Sequence, residues 1–590
     1  MKMEIAIAAL AGWGLGCLPA AAAAVVGRDK QRQAADTQSS RDKAAAKEPA
    51  RRPAGGDGEP ADLVLDGGVV VTLDDARPRA SALAVRRGRI VAVGGTADMK
   101  PLIGRHTRRI DLKGRAVVPG LTDAHVHVEG LGTMLERLDL VGAATLDEAL
   151  ARVAASAKKA PAGEWLQGRG WDQNDWPDKR FPTAADLDRV AGARPVFLLR
   201  VDGHAAWASS EALVRAAISA KTPDPEGGRI FRDAAGEPAG VLLDNAMALV
   251  TAHIPEPSRE VRKRRLAAGL RACARAGLTE VHDAGVQLGV VGLYKELLAE
   301  GAMPVRAYVM LRADEFLDGG AFLSPEVGLG DGRLTIRAVK VVADGALGSR
   351  GALLLAPYSD EPGTRGLATI EPDRLKAVLQ RALAQGFQVA THAIGDAANR
   401  MVLDAYEAAF GAAGGARRRF RIEHAQVLAP EDVPRFKAMG VIPSMQPTHC
   451  TSDMYWAQER LGPERAKGAY LWKTFLAQGV PVAGGSDAPV ESIAVLPGLY
   501  AAVTRQDAKG WPEGGWHPEE RVTIIDALKM FATSAAYAAF EEEDRGTIAP
   551  GKRADLTVFS RDVTAIPPAQ ILGTRVSMTV VGGEVFENLR

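Results

Sequence analysis

Residues 116–127 read A-V-V-P-G-L-T-D-A-H-V-H. An apolar, β-branched run that breaks at Pro-Gly and resumes into two histidines reads as a strand and its end. Residues two apart on extended backbone point the same way, so His125 and His127 can reach one metal ion. On its own an H-x-H triplet also arises by chance at strand ends and on surfaces. Its weight changes because other apolar runs end in the same manner: F-Q-V-A-T-H (387–392) on His392, F-R-I-E-H (420–424) on His424, and V-A-G-G-S-D (482–487) on Asp487. Four histidines and one carboxylate from four separate strands are a nitrogen and oxygen donor set suited to Zn²⁺ and related divalent ions.

Around these runs, strand-like apolar segments alternate with Ala-rich amphipathic stretches, the pattern of repeated β-α units. The candidate strands are 116–123, 196–202, 279–283, 336–344, 387–392, 420–424, 441–446 and 482–487. The fold class expected is α/β, a (β/α)₈ TIM-like barrel over 119–540, in which the carboxyl ends of the strands converge on the active site. Short Gly-punctuated β runs precede it (62–118) and follow it (541–590), so the two chain ends are expected to build one small β-sandwich with the barrel inserted between its halves.

The 590 residues carry 73 Lys+Arg against 72 Asp+Glu, a formal net charge of +1. No overall field favours nucleic acid or an anionic membrane, and a small, roughly neutral substrate fits better. Residues 1–26 have the pattern of a signal peptide: an apolar run from Ile5 to Val26, broken by Gly12, Gly14, Gly16 and Pro19, with small residues at Ala20 to Ala24. Export to the periplasm or the extracellular space is expected. Lipid attachment at Cys17 is the alternative, with Gly14 standing where a larger aliphatic would be usual. A retained transmembrane anchor is disfavoured by the Gly and Pro breaks. Residues 27–60 lack apolar periodicity and read as a flexible linker. The three cysteines, Cys17, Cys273 and Cys450, imply no disulfide framework.

More specific signatures are G-R-G-W-D-Q-N-D-W (168–176), R-V-D-G-H-A-A-W-A-S-S (200–210), G-E-P-A-G-V-L-L-D-N-A (236–246) and V-K-V-V-A-D-G-A-L-G-S-R (339–350), with I-E-H-A-Q and S-D-A-P. With these, residues 62–590 resemble the amidohydrolase superfamily, in the family 3 branch that includes N-substituted formamide deformylases. The resemblance implies two divalent ions, zinc being the expected metal. His125, His127 and Asp487 would hold one, His392 and His424 the other, with Lys340 bridging them as a carbamate. An ammonium beside two cations is strongly disfavoured, which leaves a neutral amine able to take up carbon dioxide. The competing reading pairs Lys340 with Asp344, although a Lys inside an apolar strand is rarely ordinary.

By the same resemblance, Asp487 carries a proton from the attacking water to the leaving amine. Arg200, Asp202 and His204 end another candidate strand and are candidates for orienting substrate or stabilising an oxyanion, with an Arg200–Asp202 ion pair as the structural alternative. Trp171, Asp172 and Trp176 are candidate pocket residues, although packing explains the tryptophans equally well. His282 is ambiguous, and His106, His253, His449 and His517 read as surface or loop residues. The function expected is hydrolysis of a non-peptide carbon–nitrogen bond in an amide, formamide or cyclic amide. Other chemistry on the same barrel (ester hydrolysis, N-acyl-D-amino acid deacylation, isomerisation) and a non-catalytic exported binding protein are the alternatives. A homodimer is expected on frequency alone.

Overall fold

The computed structural model describes residues 59–161, 163–200, 205–225, 228–319, 324–411 and 414–587. Eight strands pair in parallel in chain order: β1 (Leu121–Val126), β2 (Leu278–Val286), β3 (Arg306–Arg312), β4 (Leu334–Val342), β5 (Gln388–Ala393), β6 (Arg421–His424), β7 (Ile442–Met445) and β8 (Ala483–Gly484). The ring closes just beyond β8. There the Asp487 amide donates to the His125 carbonyl at 2.7 Å, and the His127 amide donates to the Ala488 carbonyl at 2.8 Å. Closure therefore sets the H-x-H pair directly beside the S-D-A-P segment. Strands of a closed parallel sheet are covered on both faces, which is why β3 and β4 read as nearly continuous apolar runs.

Two expectations about strands are corrected. The run 196–202 does not belong to the barrel; Val196–Arg200 lies in a six-stranded mixed sheet inserted between β1 and β2, beside Leu166–Trp171 and Ala205–Ala208. The barrel strand passed over is β3. A short buried apolar run looks the same whichever sheet covers it, so periodicity alone could not choose between these two. The first predicted strand also splits. Ala116–Pro119 pairs with Val69–Val71 and Leu556–Phe559 in a terminal sheet, whereas Leu121–Val126 enters the barrel. Gly120 makes the crossing: a Cβ there would lie 2.3 Å from Thr279 Oγ1.

That terminal sheet joins the two chain ends as expected, with Ala116 opposite Phe559 and Pro119 opposite Leu556. A four-stranded sheet containing Leu63–Asp66 and Ala82–Arg86 packs on it through Leu65, Val85, Val117, Leu556 and Met578. The inserted sheet has its own core, in which Trp171, Trp176 and Trp207 pack with ring centroids 6.2–6.4 Å apart. Among the described residues no helix is long and apolar enough to cross a membrane.

Helix α1 (Val128–Glu136) leaves β1 immediately after His127 and is pinned to α2 (Arg259–Arg275) by Arg262–Glu129 and Arg265–Glu136 pairs at 2.6 and 2.8 Å. Gly132 lets the two helices touch, since a Cβ there would sit 1.9 Å from the Arg265 carbonyl oxygen. A Gly132→Ala variant gains up to ~1 kcal/mol of helix propensity, yet overpacking of this kind costs about 1–3 kcal/mol. A net loss of stability in urea unfolding is expected, and an unchanged or raised midpoint would show that the helices separate freely.

Candidate metal centre

Strand β1 supplies two groups pointing the same way, Asp123 and His125, and His127 follows at its end. Asp123 is a tie between segments. It accepts from the amides of His125 and Ser486 at 3.1 and 3.0 Å and from the Ser486 hydroxyl at 2.5 Å, which fixes the loop carrying Asp487. Asp487 Oδ1 then lies 3.1 Å from His127 Nε2 and 3.6 Å from His125 Nε2. His424 at the end of β6 stands with its ring centroid 5.0 Å from that of His125 and 4.5 Å from that of His392, which comes from β5.

The orientation of three of these imidazoles is set from behind. His125 Nδ1 meets Glu423 Oε2 at 2.5 Å, His127 Nδ1 the Ala284 carbonyl at 2.8 Å, and His424 Nδ1 the Gln446 side-chain oxygen at 2.7 Å. Metal-binding histidines characteristically donate their outer N–H in this way and turn the other nitrogen to the ion. Glu423 is itself held by Arg421, which donates to it at 2.7 and 3.0 Å and also to the Ala124 carbonyl, Ser444 and His282 Nδ1. Arg421 and Glu423 are both fully buried. His282 thus serves the polar interior of the barrel through Arg421.

Two non-glycine residues of this centre, His424 (φ 72°) and Asp487 (φ 59°), adopt left-handed backbone. Such conformations cost energy and cluster at functional sites. Here they turn each side chain inward at the point where its strand ends.

Burial pushes His125 down to about 4 and His392 to about 3, and the Lys340 charge adds to both. Burial and the neighbouring His392 also hold His424 well below its usual range. These three rings are therefore neutral at pH 7, the form that binds a metal. Lys340, 7 % exposed on β4, has its Nζ 3.1 Å from His125 Nε2, and burial lowers it to about 8 against the pull of Glu423 and Asp487. The alternative pairing with Asp344 does not form: Asp344 accepts the amides of Leu353, Ile394 and Gly395 and lies 3.5 Å from His392 Nε2.

The donors present fit a cation. Among the described residues, His392 Nε2 and His449 Nε2 are buried without a hydrogen-bond partner, and Asp487 Oδ1 makes no well-formed hydrogen bond despite its proximity to His127. Two triples of donor atoms share Asp487: His125, His127 and Asp487, and His424, His449 and Asp487, each with its atoms within 4.8 Å of one another.

His449 corrects the sequence expectation that it is a surface or loop residue. It lies in the first turn of α3 (Pro447–Asp453), its ring is stacked on His424 at 5.8 Å and 11°, and its Nε2 is 3.8 Å from Asp487 Oδ2. The signal was available in S-M-Q-P-T-H, a His one turn beyond a strand end. Glu423 was also passed over, although R-I-E-H places Arg421 and Glu423 on one face of β6.

Among the described residues, the other candidates, Trp171, Asp172 and Arg200, lie in or directly beside the strands of the inserted sheet. Trp171 is a core residue of the inserted sheet, wholly buried, with its indole N–H donating to the Leu198 carbonyl. Arg200 donates to Asp172 at 2.6 Å and to Gln173 at 2.9 Å. Asp202 and His204 lie outside the described residues.

A parallel eight-stranded barrel whose strand ends gather imidazoles and a carboxylate defines a metal-dependent barrel hydrolase. Comparison with known proteins places it further: the model of an amidohydrolase family, Amidohydro_3, matches residues 108–586, so the chain belongs to that family. It is 38 % identical over 541 residues to the protein LONG AFTER FAR-RED 3 of Arabidopsis thaliana, covering 87 % of this chain and 91 % of the relative. It is 29 % identical over 540 residues to an N-substituted formamide deformylase of Arthrobacter pascens, covering 88 % and 97 %. A solved metal-dependent hydrolase from Pyrococcus furiosus superposes with a TM-score of 0.71 at 29 % identity, covering 86 % of this chain and 99 % of that one.

Proposed function

We propose that this enzyme hydrolyses a non-peptide carbon–nitrogen bond in a small amide, formamide or cyclic amide. The observation that carries the reading is the convergence of imidazole nitrogens, those of His125, His392 and His424 on neutral rings, and one shared carboxylate beside a buried lysine. The similarity to an N-substituted formamide deformylase favours an amide over an ester. Zinc suits the nitrogen and oxygen donors. His125, His127 and Asp487 would hold one ion and His392 and His424 the other, with His449 adding a third imidazole beside Asp487. When bound, such ions lower the pKa of water to about 7 and polarise a carbonyl.

Lys340 would bridge as a carbamate. In support, it is buried, it has no carboxylate within 4.0 Å among the described residues, and its lowered pKa leaves part of it as the free amine at neutral pH. Asp487 Oδ1 and Oδ2 face His127 and His449 respectively, so its carboxylate can take a proton on one side of the substrate and return it on the other. Glu423 and Arg421, both fully buried, orient His125 from behind. The leader 1–26 supports export, which fractionation of cells expressing the full chain tests: recovery in the cytoplasm alone refutes it.

The deciding measurement is divalent metal per chain in protein purified without chelator, for wild type and Lys340→Ala, with amine release from N-formyl and N-acyl amines followed in parallel. About two ions in the wild type, with occupancy lower in the variant and amine release reduced about 10²-fold or more, is the expected result. Full activity of Lys340→Ala with one ion per chain would refute the bridging role. Ester hydrolysis without amine release would refute the amide reading, and a chain with neither metal nor activity would be a binding protein.

A further inference from the structure

We propose that Tyr455, Trp511 and Val490 form a fixed apolar rim beside the metal centre, which receives an aromatic group carried by the substrate. The inference rests on the amide-hydrolysis reading and adds a substrate class to it. All three residues come from segments that leave the carboxyl ends of β7 and β8. Tyr455 stands six residues beyond His449 and two beyond the last residue of α3. The Val490 amide donates to the Asp487 carbonyl at 2.8 Å, so Val490 caps the turn that presents the shared carboxylate. Trp511 lies in the connection after the helix Val495–Thr504, which follows β8 and packs on α3.

These are 54, 49 and 48 % exposed for Tyr455, Trp511 and Val490. A lone exposed apolar side chain needs no explanation. Here the Tyr455 and Trp511 rings, from two separate barrel connections, stack face to face with centroids 4.8 Å apart and planes 10° apart. Both are tied down. The Tyr455 hydroxyl donates to Asp507, whose carboxylate also accepts the amides of Lys509 and Trp511 at 2.8 and 2.9 Å. Gln506 braces the same loop by donating to the carbonyls of Gly510 and Pro512 at 2.8 and 2.9 Å. The neighbouring Trp456 packs over Gly348.

The conformational entropy of this aromatic pair is thus spent during folding, and a ligand ring that lands on it pays little for ordering it. A rigid ring pair half in water, on segments that follow His449 and Asp487 along the chain, is a surface for selecting substrates.

The test uses the metal-loaded full chain and two probe pairs that differ by a ring: acetanilide against N-methylacetamide on the nitrogen side, and benzamide against acetamide on the acyl side. Binding is read by isothermal titration calorimetry and turnover by release of amine or ammonia. The expected result is a wild-type preference for the ring in at least one pair, reduced about fivefold in both Trp511→Ala and Tyr455→Ala. Which pair responds tells the side of the amide that faces the rim. A wild type without ring preference, or a preference unchanged in both variants, would overturn the proposal. Binding preference that depends on Trp511 without hydrolysis of any probe would sink the amide reading while leaving the rim; hydrolysis with a Trp511-independent preference would do the reverse.

Discussion

Asp487→Asn is expected to leave a folded protein whose turnover falls about 10³-fold or more, the upper range for losing an acid–base group. Asparagine is nearly isosteric and among the residues that best tolerate left-handed backbone, so φ 59° at this position should survive the change. The charge does not survive. Burial acts to raise the pKa of Asp487, but the close approach of His127 and the neighbouring His125 and His424 override it and hold the carboxyl well below the ordinary range. An amide in its place turns an N–H₂ toward imidazole nitrogens or leaves a single neutral oxygen, and both donor triples lose their shared anion. Circular dichroism should match the wild type while amine release and metal occupancy fall together. Near-normal turnover would remove Asp487 from the proton-transfer role altogether.

Arg306→Met is expected to cost about 3–5 kcal/mol, the usual penalty for stripping one partner from a buried ion pair. Arg306 begins β3, is 2 % exposed, and donates to both oxygens of Asp555 at 2.7 and 3.0 Å and to the carbonyls of Asp331 and Gly332. Asp555 immediately precedes the terminal-sheet strand Leu556–Phe559. The pair therefore fastens the amino end of the barrel to the sheet made by the two chain ends. Burial works to raise Asp555, but Arg306 outweighs it and carries the carboxyl down to about 2.

A carboxyl depressed on folding contributes stability above its unfolded pKa and loses it as pH falls through the folded value. From 3.8 to about 2 that contribution is about 2 kcal/mol. The stability gap between wild type and Asp555→Asn should accordingly narrow between pH 4 and pH 2. A gap independent of pH across that window would mean that Asp555 acts through packing rather than charge.

His125, His127, His392, His424 and Asp487 were legible because each closes an apolar run, and in a parallel barrel every strand delivers its last residue to the same end of the molecule. The joining of the two chain ends in one sheet was legible for a similar reason, since short Gly-punctuated runs at both termini cannot bury a face alone. Local pattern could not say which sheet a run enters. V-F-L-L-R and A-Y-V-M-L are both short and apolar, and only the long-range pairing put the second in the barrel and the first in the inserted sheet. His449 and Glu423 were hidden for another reason. Their roles depend on a ring stacked across from a different strand and on a carboxylate clasped by Arg421 inside the barrel, contacts between residues distant along the chain.

The sequence by itself thus determined the repeating β-α plan and the donor residues at the strand ends, because periodicity and side-chain chemistry are local properties. Tertiary structure alone settles that Asp487 is shared by two sets of imidazoles and that, among the described residues, no carboxylate lies within 4.0 Å of Lys340. Distance and burial are set by how the barrel closes.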